Sequence, residues 1–308
     1  MTSDDFLIDG VPYAKVLYLE GNVWIRPPDE DEFHKLEADE PIPDQSVLYT
    51  GYNGILDFAT GPGMAVRMVP KTGLVVDVLP KPNSSSTAPA TSQVDLRKGT
   101  IFSALGRENG GAIDYTVQTP MGVAAARGTM FSTSVIEGTT QVSMLHGTVN
   151  FQSPDHQTSQ ITAGQSQQIT GSGNKFHFGA HNPMKPANSE AFFNHAGGLL
   201  DHASGYGVVR HGLGPDVAKE MDKHGYKMPS GARDQMQHAG KNHYKTKPQF
   251  NHAKTPQART ANQHKTTSTG GTGYHPAGAG QGQEQKPKTW HKPGENEHWP
   301  EKDKDWGH

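Results

Sequence analysis

Apolar and polar residues alternate with a period of two along much of residues 12–170, the pattern of strands that bury one face. Leu17, Leu19, Gly21, Val23 and Ile25 fall on one side, with Tyr18, Glu20, Asn22 and Trp24 on the other. Val142 and Met144 hold such a face, yet Val149 and Phe151 sit at the opposite parity. The phase therefore flips around Leu145–Gly147, which requires a bulge or a corner, and glycine suits a tight backbone there. Glu137-Gly138, followed by Thr139 and Thr140, predicts a hairpin turn.

Turn signals recur at Pro27-Pro28, Pro41, Pro43, Gly61-Pro62-Gly63, Lys71-Thr72-Gly73 and Gly110-Gly111. Many short strands so punctuated predict an all-β fold. Degenerate glycine-then-apolar units at residues 17–23, 96–101 and 145–149 fit stacked rungs or a sandwich equally well. The polar stretch 80–92 reads as a loop or insertion.

The pattern changes after residue 170. Asn188-Ser189-Glu190 ahead of Ala191-Phe192-Phe193 predicts a helix that ends before Gly205. Pro215–Lys223, closed by Gly225, predicts a second. The expected organisation is a β domain over 1–170 with a polar loop at 81–92, a linker with short helices over 171–230, and a disordered His/Gly/Lys-rich tail over 231–308.

Charge sharpens that division. Residues 1–170 hold 10 Lys and Arg against 19 Asp and Glu, a balance of −9, and the remainder holds 18 against 12, a balance of +6. An acidic domain and a basic tail lie behind a formal net charge of −3. Cysteine is absent, so disulfides, thiolate metal sites and cysteine nucleophiles are excluded. No apolar run is long enough for a membrane-spanning helix. The first residues lack the basic region and apolar core of a signal peptide.

Catalytic signatures are missing. There is no Gly-x-Ser-x-Gly elbow and no phosphate-binding loop, and Asp57, Asp77 and His146 could form a site only by converging in space. The expectation is a non-enzymatic protein without cofactor. Fourteen of the 17 histidines lie from His177 onward, which raises a metal reading. His177 and His181 have helical-pair spacing, but Gly179 and Pro183 oppose a helix, so no metal site is assigned. The tail remains a candidate for loose metal or polyanion binding, displayed by the β domain. Its dispersed lysines and interspersed acids predict no specific nucleic-acid recognition.

The segment Thr119-Pro120-Met121-Gly122-Val123-Ala124-Ala125-Ala126-Arg127-Gly128-Thr129-Met130-Phe131, with Gly147 downstream in Leu145-His146-Gly147-Thr148-Val149, resembles the hallmark of FecR-type domains. The likeness extends over roughly residues 12–170. It implies a β-solenoid-like or sandwich-like stack of short strands. It also implies a role in protein–protein recognition, signalling or scaffolding at the bacterial cell envelope, with an envelope component as candidate partner. The implied location is periplasmic or extracellular, while the N-terminal sequence keeps the cytoplasm as the alternative. Thr119, Pro120, Arg127, Gly128, Thr129, Phe131 and Gly147 are the candidate motif residues, as partner contacts or as structural elements. For Arg127 the structural role, a clamp between strands, is the expectation.

Overall fold

The break in the alternation around Leu145–Gly147 is a place where the chain leaves one sheet for another. The computed structural model describes residues 3–234 apart from 81–89, 107–112, 173, 185–188, 207, 209–212, 224–229 and 232. Most of the polar stretch, and the tail with most of its histidines, thus lie outside the described residues.

The chain opens with β1 (Leu7–Ile8), β2 (Val11–Glu20), β3 (Val23–Arg26), β4 (His34–Lys35) and β5 (Ile42–Pro43). There follow β6 (Val47–Thr50), β7 (Ile55–Gly61), β8 (Met64–Met68), β9 (Gly73–Val78) and the long β10 (Ala90–Leu105). Next come β11 (Ile113–Thr119), β12 (Gly122–Ala126), β13 (Met130–Ile136), β14 (Thr139–His146) and β15 (Thr148–Gln152). The last strands are β16 (Thr158–Thr162), β17 (Gln165–Ser172), β18 (Lys175–Phe178) and β19 (Asn182–Pro183), before helices α1 (Ser189–His202) and α2 (Leu213–Lys223). The all-β expectation holds.

One face, sheet I, runs in the order β2, β7, β8, β10, β13, β14, β17, β18. The other, sheet II, runs β4, β3, β6, β9, β10, β11, β12, β15, β16. β10 belongs to both, pairing in sheet II up to Lys98 and in sheet I from Gly99. Gly99 has φ of +86°, and a β-carbon there would lie 2.5 Å from Thr72 Cα. The two faces are therefore one sheet curled at a glycine. Among the described ladders only β10–β11 is parallel. The chain advances by antiparallel hairpins and not by coiled parallel rungs, which corrects the solenoid expectation in favour of its sandwich-like alternative.

The inward sides of both faces share one core, with Phe58, Met64, Val66, Ile101, Phe131 and Val142 from sheet I against Ile25, Leu48, Leu74, Val94, Val117 and Phe151 from sheet II. Each such side chain contributes about 1.5–3 kcal/mol on burial. Sheet I is apolar on its other side too. Ala65, Phe102, Ala104, Met130 and Leu145 lie under Phe193, Ala196, Leu199 and Leu200 of α1, joined by Val217 and Ala218 of α2. The order of layers is sheet II, sheet I, helices.

Two phase readings are decided here. Gly147, φ +83°, is the corner between β14 in sheet I and β15 in sheet II, as the parity flip predicts. Glu137 and Gly138, at φ 48° and 71°, form the two-residue turn between Ile136 and Thr139. The placement of Leu17 and Leu19 on one face is corrected. Val16 pairs with Phe58 and Tyr18 with Asp57, so Leu17 is an extra residue on β2. That bulge turns Val16 and Leu19 to the inner core and Leu17 to the helix side.

Candidate functional site

The hallmark segment spans two hairpin ends and one crossing between sheets. Thr119 ends β11, where its hydroxyl donates to Gly122 O at 2.9 Å and accepts from Met121 N at 3.3 Å and Thr140 Oγ1 at 3.1 Å. Pro120 is exposed in the turn, where its missing N–H costs nothing. Arg127 follows β12 with its side chain 70% exposed and its guanidinium on the carboxylate of Asp114 across the sheet, Nε to Oδ1 at 2.8 Å. Gly128, φ +57°, carries the chain from sheet II to sheet I. Thr129 and Phe131 are fully buried.

Gly147 meets the segment from the other strand pair. A β-carbon on Gly147 would lie 2.6 Å from Thr129 Cγ2. Gly128, Thr129 and Gly147 thus interlock at a corner, while Phe131 packs edge-on to Tyr115 at 6.3 Å in the core. Burial raises the Tyr115 hydroxyl's pKa, and that hydroxyl pairs with Ser103 Oγ at 2.9 Å. The structure brings Thr129 and Gly147 together and sets Arg127 and Pro120 at the surface. His177 and His181 are exposed at the far end of sheet I, His181 Nε2 lying 3.1 Å from Ser159 Oγ. No group of three His, Cys, Asp or Glu side chains fit for a metal occurs among the described residues.

A second constellation lies under α1. Asp57 on β7 and Arg67 on β8 are directly opposite partners and buried, 0% and 5% exposed. Arg67 donates from Nε to Asp57 Oδ1 at 2.6 Å and from Nη2 to Oδ2 at 2.7 Å. Its Nη1 donates to the carbonyl of His195 in α1 at 2.9 Å. His202, at the end of α1, places Nδ1 2.5 Å from Asp57 Oδ2. Since the carboxylate already accepts from arginine, Nδ1 must be the donor. The 3.2 Å approach of Arg67 Nη2 to the same nitrogen then sets two donors together and is no hydrogen bond. Tyr18 stacks on His202 at 4.1 Å, and its hydroxyl donates to Glu20 at 2.6 Å, which raises the tyrosine pKa.

This cluster fastens the helix layer to the sheet. Removing one partner of such a pair costs about 3–5 kcal/mol. His195, half-buried beside it, has its pKa lowered by burial first and by the Arg67 charge second. The sequence reading missed this pair, although the strands carried a signal for it. Asp57 and Arg67 are lone charges in apolar runs, and a turn centred on Pro62 sets them opposite each other. Their link to His202 had no local signal. Asp57, Asp77 and His146 do not converge: Asp77, on sheet II, serves Gln45 Nε2 at 2.9 Å and Gln93, and His146 ends β14.

The family model described as FecR protein matches residues 46–150, from the start of β6 to the middle of β15. This chain carries a FecR domain. The match takes in the corner of Gly128, Thr129 and Gly147 and the Asp57–Arg67 pair, while α1 lies beyond it. No curated protein matches the chain. Two solved structures from Parabacteroides distasonis ATCC 8503, each described as an anti-sigma factor, are similar in part. One, at 14% identity and TM-score 0.35, covers 44% of this chain, and the chain spans 60% of its length. The other, at 12% identity and TM-score 0.36, covers 53% of this chain and 75% of its own. No helix of the described residues is long and apolar enough to cross a membrane.

Proposed function

We propose that this FecR-domain protein is a non-enzymatic recognition module, acting in signalling or scaffolding at the bacterial cell envelope through a protein partner, on the periplasmic or extracellular side. The FecR match over the central strands is the observation that carries the reading. The disposition of the hallmark residues supports it: Thr129, Phe131 and the two corner glycines build the fold, and Arg127 is left at the surface beside Asp114. A guanidinium with such exposure can exchange its carboxylate partner for one on another protein at small cost.

The test is a crosslinking capture from a native envelope fraction, comparing the full chain, residues 1–234 and the Arg127→Ala variant. Cutting at 234 keeps α1 on sheet I. Specific partners retained by 1–234 and lost by Arg127→Ala support the reading. Partners lost with the tail alone would move recognition to residues 235–308, the alternative in which the histidine-rich tail binds metal or polyanions.

A further inference from the structure

β4 forms the outer margin of sheet II at its N-terminal end and lies on a short acidic segment, Pro27 to Pro41. Its hold on the domain is slight. Trp24 and Ile25 of β3 pair with Lys35 and His34, Leu36 N donates to Val23 O at 3.0 Å, and Leu36 alone of this segment is fully buried. Phe33 adds a contact with the Arg26 guanidinium of β3, and the shape of the segment itself is set from within by one side chain. His34 reaches back with Nδ1 to Glu30 Oε2 at 3.0 Å and forward with Nε2 to Glu40 Oε1 at 2.7 Å. Glu40 also accepts from the backbone N–H of Glu37 at 3.0 Å, which ties the second turn to the same point.

We propose that His34 is a proton-operated clasp that keeps the two turns of this segment closed about β4, and so keeps β4 paired on the edge of sheet II. A ring flanked by a carboxylate at each nitrogen needs an N–H on both, so the closed form contains imidazolium. Loss of one ring proton to water leaves a neutral imidazole with a single N–H. The other nitrogen then turns a lone pair toward a carboxylate, and one of the two bonds fails. The same step removes a positive charge from a segment that also carries Asp29, Asp31, Glu32, Glu37 and Asp39. Lys35, Glu37 and Asp39 line the open cleft beside His34, and the Arg26 guanidinium on the neighbouring strand is engaged with the Phe33 ring at 5.3 Å. The acids outnumber the nearby cations in both states, and loss of the His34 charge widens that imbalance. Opening bares the backbone edge of β3, whose unpaired N–H and C=O groups are a template for another strand.

The direction of the response follows from the same contacts. The hydrogen bond to Glu40, then the charges of Glu40 and Glu30, hold His34 above its ordinary range. The clasp is thus at full strength below about pH 6.5, the value of an unfolded histidine, provided the glutamates are ionised, and is lost as pH rises through the higher folded value.

Hydrogen exchange on the full chain, from about pH 6 to about pH 8.5 and corrected for the intrinsic rate, tests the clasp. The expected result is a loss of protection in residues 23–41, relative to the β13–β14 hairpin, as pH rises across this range. Glu40→Gln should show the low protection at both ends of the range. A constant protection ratio between the two regions in the unmodified chain overturns the proposal, whether or not Glu40→Gln folds.

Discussion

The Arg67 guanidinium stands where a side chain at position 198 would have to go: a β-carbon on Gly198 would lie 2.3 Å from Arg67 Nη1. Glycine inside a helix weakens it, yet here it lets α1 settle on a buried ion pair. The nearest atom is the end of a side chain, but that end is tied to Asp57 and to the His195 carbonyl and cannot swing aside freely.

Gly198→Ala should therefore destabilise the protein despite a helix-propensity gain of about 1 kcal/mol. Displacing Arg67 from its partners costs about 3–5 kcal/mol, so a net loss of about 2 kcal/mol or more is expected in denaturant unfolding. A more stable variant would show that the guanidinium has somewhere else to go.

Asp57→Ala leaves a buried arginine unpaired and should cost about 3–5 kcal/mol. Replacing both members, Asp57→Leu with Arg67→Met, should recover most of that loss. The double variant would still lack the His202 contact. Limited proteolysis should cut its α1 segment faster than that of the unmodified protein.

Acid should loosen the helix layer. His195 is held neutral in the folded state, whereas an unfolded histidine takes its proton near pH 6.5. Its contribution is unimpaired above that value and turns unfavourable as pH falls through it toward the lower folded value. Unfolding curves at about pH 7.5 and about pH 5.5 should differ more for the unmodified protein than for His195→Gln. An equal difference would remove His195 from the account.

At the corner, Gly147→Ala forces a left-handed backbone on a residue with a β-carbon and drives that carbon into Thr129. A loss of about 1–3 kcal/mol is expected from the backbone alone. Arg127→Ala should change stability by about 1 kcal/mol at most, since the Asp114 pair is exposed. Normal melting with reduced partner capture would separate a contact residue from a clamp.

Much of sheet construction was legible because local chemistry decides it. The parity flip at Gly147, the Glu137-Gly138 turn and the helix start at Ser189 each rest on backbone preferences of a few adjacent residues. Leu17 was misread because a bulge on β2 is set by its partner β7, and β2 itself carries no glycine or proline at that point to announce it. The solenoid expectation failed for a related reason: alternation states which face is buried and is silent on whether the neighbour runs parallel or antiparallel.

The sequence by itself determined that much of residues 12–170 forms strands, where the chain turns, and that a FecR hallmark lies at Thr119–Phe131. The strands and turns follow from period-two burial and from the φ angles that glycine permits, while the hallmark is a resemblance of residue types. Only the tertiary structure decided that sheet I is apolar on both sides, and that Arg67 reaches His195 and Asp57 reaches His202. Those contacts join residues more than a hundred positions apart, and such distances are closed by packing and not by local preference.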